Sequence, residues 1–367
     1  MHPGPKPVKL RAFSRGLEKS ETCAHYINVA PAGQSVGTGR ERAVNGMENT
    51  GKGVQILEIT EDQAGQRVDN FLLARLKGVP RSHVYRILRR GEVRVNRGRI
   101  KPHYRLRAGD RLRLPPVRRR EAGTLRPPAA LLERLERAIL YEDERLLVLD
   151  KPAGVAVHGG SGLSFGVIEA LRALRPGPPC LELVHRLDRD TSGCLLVAKR
   201  RSALRALHGL LREGRVDKRY LALVRGAWPG GPHRVDVPLR KNVLASGERV
   251  VRVSEAGKAA QTEFTARWTG EDVTLVEVRL LTGRTHQIRV HAAHAGHPLA
   301  GDERYGDAAF NRALRRAGLR RLFLHAWSVA LEMPGGGPHL QVTAPLPADL
   351  LAVLERLGCM TCKTDFG

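Results

Sequence analysis

The chain has 367 residues, with 62 Lys+Arg against 37 Asp+Glu and a formal net charge of +25. That length supports a large core and two domains, and so positive a field favours polyanions, nucleic acid first, as partners. No apolar run approaches the ~20 residues that span a bilayer, no secretory h-region opens the chain, and the five scattered cysteines form no disulfide framework, so a cytoplasmic protein is expected.

Residues 1–53 carry Gly, Pro, Ser and Thr with little periodicity and close on Gly51-Lys52-Gly53. Too little apolar surface is available there to offset ordering entropy, and a disordered extension is expected. Met47 lies just ahead of the first patterned segment and is a candidate translation start. Residues 54–116 read as the first compact unit. Val68, Leu72 and Leu76 mark one helical stripe, ended by Gly78 and Pro80. Ser82 is expected to cap a second helix with Val84, Ile87 and Leu88 inward and Gly91 as its stop. Arg86, Arg89 and Arg90 fall on its other face, and short strands are expected around 93–95 and 111–114. With Arg94, Arg97, Arg99, Lys101, Arg105 and Arg107 close by, the unit reads as a small RNA-binding module that contacts phosphates. Few aromatics interleave, which suits readout of backbone and shape better than base stacking.

Residues 117–137 read as a linker, with Arg118-Arg119-Arg120, Pro127-Pro128 and a short charged helix. A second unit follows over 138–357, then a tail at 358–367. It opens with two apolar strands around the turn Lys151-Pro152-Ala153-Gly154. His158-Gly159-Gly160-Ser161-Gly162 lacks the Gly-Lys-Ser/Thr ending of a phosphate-cradling loop and reads as a loop with unusual backbone angles near a ligand.

The centre of this unit is LELVHRLDRDTSGCLLVAK, residues 181–199. Two apolar runs flank a loop holding His185, Arg186, Asp188, Arg189 and Asp190, where strands would position reactive groups on accessible backbone. A helix over 204–211 and a strand over 218–224 come next. Tyr220 in that strand is either core packing or a stacking surface for a base. Short strands fill 232–280, and a helix over 285–295 is expected with Thr285 as cap and Gly296 at its end. Arg284 sits at its start and Arg289 one turn in. Either can reach a carboxylate, and a buried arginine requires one. His286, His291, His294 and His297 lack a metal-site spacing and an acidic ligand, and Cys359 with Cys362 forms a lone Cys-x-x-Cys, so no metal is expected.

HRLDRDTSG resembles the signature of the RluA-type pseudouridine synthases, and KRYLALVRG and GRTHQIRVHAAHAGHPLAGDERYG are similar to that family's later motifs. The leading unit resembles the S4 RNA-binding domain. The resemblance covers about 54–350 and leaves out the N-terminal extension and the Cys-bearing end. LKGVPRSHVYRILRRGEVRVNRGRIKP and HGGSGLSFGVIEALRALRP are nearest the family's C subgroup, which implies uridines of 23S ribosomal RNA, or of a large-subunit precursor, as substrate.

The implied fold is α+β: a long mixed, mostly antiparallel sheet with peripheral helices and a cleft across its middle, with a small S4 unit on a flexible linker. The implied reaction breaks the N1–C1′ bond of a uridine, turns the base and joins C5 to C1′, in a monomer without metal, nucleotide or other cofactor. The resemblance assigns Asp188, not Asp190, to the catalytic position and pairs it with Arg289. It places Arg284 on the wall of the site with His185, and Arg186 at the flipped-out nucleotide. Tyr220 would stack on the base and take the C5 proton, with Ile288 on the base's other side. Phosphate contacts fall to Arg86, Arg89, Arg90, Arg94 and Arg97. A non-catalytic ribosome-assembly protein shares the charge but has no need of Asp188, Arg289 and Tyr220 together. A carbohydrate glycosidase would want a second carboxylate and aromatic platforms.

Overall fold

The computed structural model describes residues 53–76, 79–117, 127–159, 165–176, 180–243, 249–333, 339–360 and 362–366. Met47, Gly78, Arg118-Arg119-Arg120 and most of the glycine-rich 158–162 segment lie outside the described residues.

The leading unit contains β1 (Gln55–Glu58), α1 (Val68–Arg75), α2 (Arg81–Arg89), β2 (Arg94–Val95), β3 (Gly98–Arg99) and β4 (Arg111–Leu114), with the strands ordered β1-β4-β2-β3. Val68, Leu72 and Leu76 pack with Val84, Ile87 and Leu88 against Ile59, Leu106 and Leu112, all buried. The helical spacing therefore buries one stripe per helix and leaves Arg86, Arg89 and Arg90 exposed. Ser82 is not the cap. Helix α2 begins at Arg81 behind Pro80, which has φ −55° and no N–H to satisfy.

The second unit continues with α3 (Ala129–Arg137), β5 (Ile139–Glu142), β6 (Leu146–Lys151), α4 (Val167–Leu174), β7 (Glu182–Leu183), β8 (Ser192–Ala198), α5 (Arg201–Arg212) and β9 (Val216–Arg225). Strands β10 (Pro232–Asp236), β11 (Leu239–Val243), β12 (Arg249–Val253), β13 (Gln261–Thr269) and β14 (Val273–Leu280) lead to α6 (Gln287–His294) and α7 (Ala308–Arg316). Strands β15 (Leu324–Glu332) and β16 (His339–Thr343) precede α8 (Ala348–Arg356) and α9 (Cys362–Phe366).

One sheet runs β10-β13-β14-β9-β15-β8-β6-β5, with β16 on β15 and β7 on β8, while β11 and β12 pair as a separate hairpin. Among the described residues only the β15–β8 pairing in the large sheet is parallel, which makes the α+β sheet mixed and mostly antiparallel, as expected. Both faces are covered. Tyr220, Ala222 and Val224 of β9 enter one core with Ile288 and Leu324, whereas Leu221 and Leu223 enter the other with Phe323, Leu350 and Leu354. This period-2 alternation makes the central strands near-continuous apolar runs.

Four expectations change. The short charged helix expected at the end of the linker is α3, but it is not part of a linker: it packs against α4, with Leu135 fully buried in the catalytic core. Strand β6 precedes the Lys151 turn, but the apolar run at 155–157 is not a strand, because its backbone turns toward α4. The segment 358–367 is not a free tail: Phe366 is buried against Trp327, its carbonyl accepts the Leu346 N–H, and Cys359 is buried and disulfide-bonded. The S4-like unit does not depend on the linker alone, since the Arg205 guanidinium of α5 donates to the Ala64 carbonyl at 2.8 Å.

Candidate active site

The loop 184–191 enters β8 at the parallel seam with β15. Gly193 has φ +106°, and a Cβ there would collide with the Ala326 carbonyl. Only glycine lets the two strands approach where the loop ends. Two side chains brace the loop. Lys151, fully buried, donates from its ammonium to the carbonyls of Pro152, Val155 and Arg189, each at 2.9 Å. Burial lowers its pKa to about 7. His185 accepts the Leu196 N–H at Nε2 (3.1 Å), and burial lowers its pKa to about 4. That nitrogen is committed to β8, although the ring also borders the cavity described below.

Asp188 and Asp190 now separate. Asp190 pairs with Arg189 on the outer side of the loop, at 3.1 Å with both side chains about half exposed (61% and 49%). Asp188 faces inward, 27% exposed, with Oδ2 3.3 Å from Nη1 of Arg289 and 3.8 Å from Nε2 of His286. Among the described residues no hydrogen bond reaches its Oδ1.

Arg289 is itself held. Its Nε and Nη2 donate to the two oxygens of Asp302 at 2.7 Å each, and its guanidinium lies over the Tyr305 ring, 5.0 Å from the centroid. Asp302 is fully buried and also accepts the backbone N–H groups of Arg304 (2.9 Å) and Tyr305 (3.0 Å). Burial works to raise the Asp302 pKa, but the Arg289 bonds and charge and the two amides bring it below the ordinary carboxylate range. Arg289 is pushed up in turn: the Asp302 and Asp188 carboxylates outweigh its burial. The bidentate fork fixes the guanidinium plane, leaving Nη1 for Asp188.

A cavity of about 660 Å³ opens beside Asp188, lined by Tyr220, Ile288, Leu324, Lys218 and Arg186 among others. Tyr220 and Ile288 are buried. The Tyr220 hydroxyl makes no hydrogen bond among the described residues, and burial, then the Asp188 charge, raise its pKa so that the phenol stays protonated. A second cavity of about 970 Å³ meets the first at Asp188, Arg186, His286 and Arg289 and extends to Arg189, Arg320 and Arg321. Arg186 is exposed between them, and its side chain has no hydrogen bond or ion pair among the described residues.

Of the two arginines that could reach a carboxylate, only Arg289 does so among the described residues. Arg284 is exposed at the cavity rim and donates from Nε to the Ala259 carbonyl at 3.0 Å. Helix α6 starts later than expected. His286, in the left-handed region at φ +53°, takes the cap position instead of Thr285. Gln287 closes the turn: its Oε1 accepts from the Arg284 N–H and the Thr282 hydroxyl, and its Nε2 donates to Gln261 and Thr262.

The five S4-unit arginines, Arg86, Arg89, Arg90, Arg94 and Arg97, are exposed on their own unit and line neither cavity. Among the described residues no three His, Cys, Asp or Glu side chains are placed to hold a metal. His291 and His297 instead face the backbone carbonyls of Val237 and Arg225.

Sequence reading missed Asp302, His286, Gln287 and Lys151. The signal for Asp302 was available in principle, because a buried arginine demands an acid; its distance along the chain concealed which acid.

A family model described as RNA pseudouridylate synthase matches residues 145–294, and an S4 domain model matches residues 66–112. The chain is 58% identical over 306 residues to the ribosomal large subunit pseudouridine synthase C of Pasteurella multocida, covering 83% of this chain and 94% of that protein. The protein of the same name from Escherichia coli is 58% identical over 308 residues, covering 83% and 97%. Among solved structures, human RNA pseudouridylate synthase domain containing 4 superposes with a TM-score of 0.52 at 27% identity, covering 62% of this chain and 95% of that one. Similarity this high over almost the whole length of these relatives, on the sheet and loop described above, shows that the chain belongs to the RNA pseudouridylate synthase family, isomerases that convert uridine to pseudouridine.

Proposed function

We propose that this enzyme isomerises uridines of large-subunit ribosomal RNA in the cytoplasm, as a monomer without a cofactor, and that Asp188 is its reacting carboxylate. The observation that carries the reading is the Asp188–Arg289 pair at 3.3 Å, set at the edge of a cavity floored by Tyr220 and Ile288. The name shared by the Pasteurella multocida and Escherichia coli relatives and the S4 domain support the large-subunit target.

The residues divide the task. Extruding a uridine from a stacked strand costs a few kcal/mol, and Tyr220 and Ile288 recover part of it by packing on the two faces of the base. Arg186, exposed and unpaired among the described residues, fills the vacated place or contacts its phosphate. Arg289 holds Oδ2 of Asp188, so Oδ1 acts on the ribose. Glycosidic N1–C1′ cleavage then frees the base to turn, and C5 bonds to C1′. The C5 proton is exchanged for one on N1, so the product is an isomer. Tyr220 is a protonated phenol and takes the C5 proton only by passing on its own.

Tritium release from large-subunit RNA labelled at uridine C5 tests the assignment. Asp188→Asn keeps the shape and should abolish release while leaving RNA binding nearly intact; retention of roughly a tenth of wild-type turnover would mean the reacting group is misassigned. Carbodiimide mapping of ribosomal RNA from a deletion strain should show large-subunit pseudouridines missing; an unchanged map rejects that substrate.

A further inference from the structure

The second contact on Asp188 has a tautomer built into it. The Tyr305 hydroxyl accepts the Val251 N–H of β12 at 3.0 Å and lies 2.8 Å from Nδ1 of His286. A phenol has one hydrogen to give. Among the described residues His286 Nδ1 is the acceptor within its reach, and a phenol that donates there leaves the lone pair on Nδ1. The hydrogen of the neutral ring is then on Nε2, the atom that faces Asp188 Oδ2 at 3.8 Å. That separation exceeds a hydrogen bond, and catalytic hydrogen bonds commonly tighten only when substrate is bound. The ring is brought there by a left-handed backbone at φ +53°, which His and Asn tolerate better than most residues.

We propose that His286 is a positioning residue of the reaction: it donates from Nε2 to the Asp188 oxygen that Arg289 already holds, and so leaves Oδ1 as the reacting oxygen. Two donors on one oxygen fix the rotation of the carboxyl group, which a single donor at 3.3 Å does not. Tyr305 sets the tautomer, and through Val251 it ties the catalytic carboxylate to the β11–β12 hairpin. The exposed Arg240, Lys241 and Arg252 of that hairpin suit contact with RNA. This inference rests on Asp188 being the reacting carboxylate.

Burial favours the neutral ring. Burial lowers the His286 pKa; the Asp188 charge opposes it, the nearby Arg289 and Arg304 add to it, and Asp302 pulls the other way. Tyr305 contributes by bonding to the unprotonated Nδ1. Protonation of His286 must break that bond and would put a second cation on Asp188, reducing its reactivity.

Three variants of the full-length enzyme test the proposal in the tritium-release assay. His286→Asn keeps the left-handed backbone but cannot reach Asp188 with a donor. Its kcat should fall about 100-fold with KM little changed, the scale of a misplaced reacting group. His286→Gln presents an amide N–H near the Nε2 position and should recover roughly tenfold over the Asn variant. Tyr305→Phe keeps the ring under Arg289 and removes only the hydroxyl. It should lower kcat about tenfold and move the acid limb of the kcat–pH profile to higher pH, because Nδ1 is free to protonate. A His286→Asn kcat within about threefold of wild type, a Gln variant no better than Asn, or an unmoved acid limb in Tyr305→Phe each overturns the proposal. An inactive Asp188→Asn alongside an unaffected His286→Asn removes this inference alone, whereas an active Asp188→Asn removes the reading beneath it.

Discussion

Asp188 is one carboxylate among several in an arginine-rich chain, and its neighbours decide its chemistry. Asp190, two residues on, is paired at the surface with Arg189; Asp188 faces a guanidinium that Asp302 has already oriented. Asp302→Ala should therefore do more than weaken a contact. Removing one partner of a buried pair leaves an uncompensated charge and costs about 3–5 kcal/mol, read as a lower denaturation midpoint. The pH dependence has a definite sign. The folded pKa of Asp302 lies below its unfolded value, so its contribution is complete above the ordinary carboxylate range and is lost as pH falls through the folded pKa. The stability gap between wild type and Asp302→Asn should narrow on acidification; a gap constant with pH contradicts the pairing. Tyr220 offers a second separation at this scale. Tyr220→Phe keeps the buried ring and removes the hydroxyl, so kcat should drop by roughly 10²-fold or more while KM stays close to wild type. An unchanged kcat would leave stacking as its sole role.

At the scale of elements, the site depends on β8 and β6 holding a loop they do not contain. The carbonyls of Pro152, Val155 and Arg189 come from two segments, and the Lys151 ammonium joins them. Lys151→Met conserves length and removes the donor. Each carbonyl left without a partner costs about 1–3 kcal/mol, so a loss of a few kcal/mol is expected in urea unfolding, with kcat falling because Asp188 is adjacent to the released Arg189 carbonyl. A variant as stable as wild type would show that water replaces the ammonium. Gly193 acts at the same junction. Its φ of +106° and its close approach to Ala326 place the loop against the parallel β8–β15 seam of the sheet.

For the whole molecule, the question is how a charge of +25 is divided between holding RNA and reacting with it. The S4-unit arginines lie outside both cavities at Asp188, so their substitution should affect binding and not chemistry. Replacing Arg86, Arg89, Arg90, Arg94 and Arg97 by Gln should raise KM and make its salt dependence shallower, by ~0.7–0.9 in the log–log slope for each phosphate no longer neutralised. The kcat should stay within about twofold. A fall in kcat alone would place these residues in the reaction.

The sequence by itself determined the helical stripes of the S4 unit, the β8 and β9 runs and the loop between apolar strands, because period and turn chemistry are local. It also presented Arg289 as a side chain in need of an acid. The family resemblance supplied Asp188, 101 residues away, and the tertiary structure added Asp302, 13 residues away. It decided too that α3 and the C-terminal segment belong to the catalytic core, and that His286, not Thr285, begins α6. These outcomes depend on which strands become neighbours and which side chains then share a buried space. Short-range patterning carries no record of either.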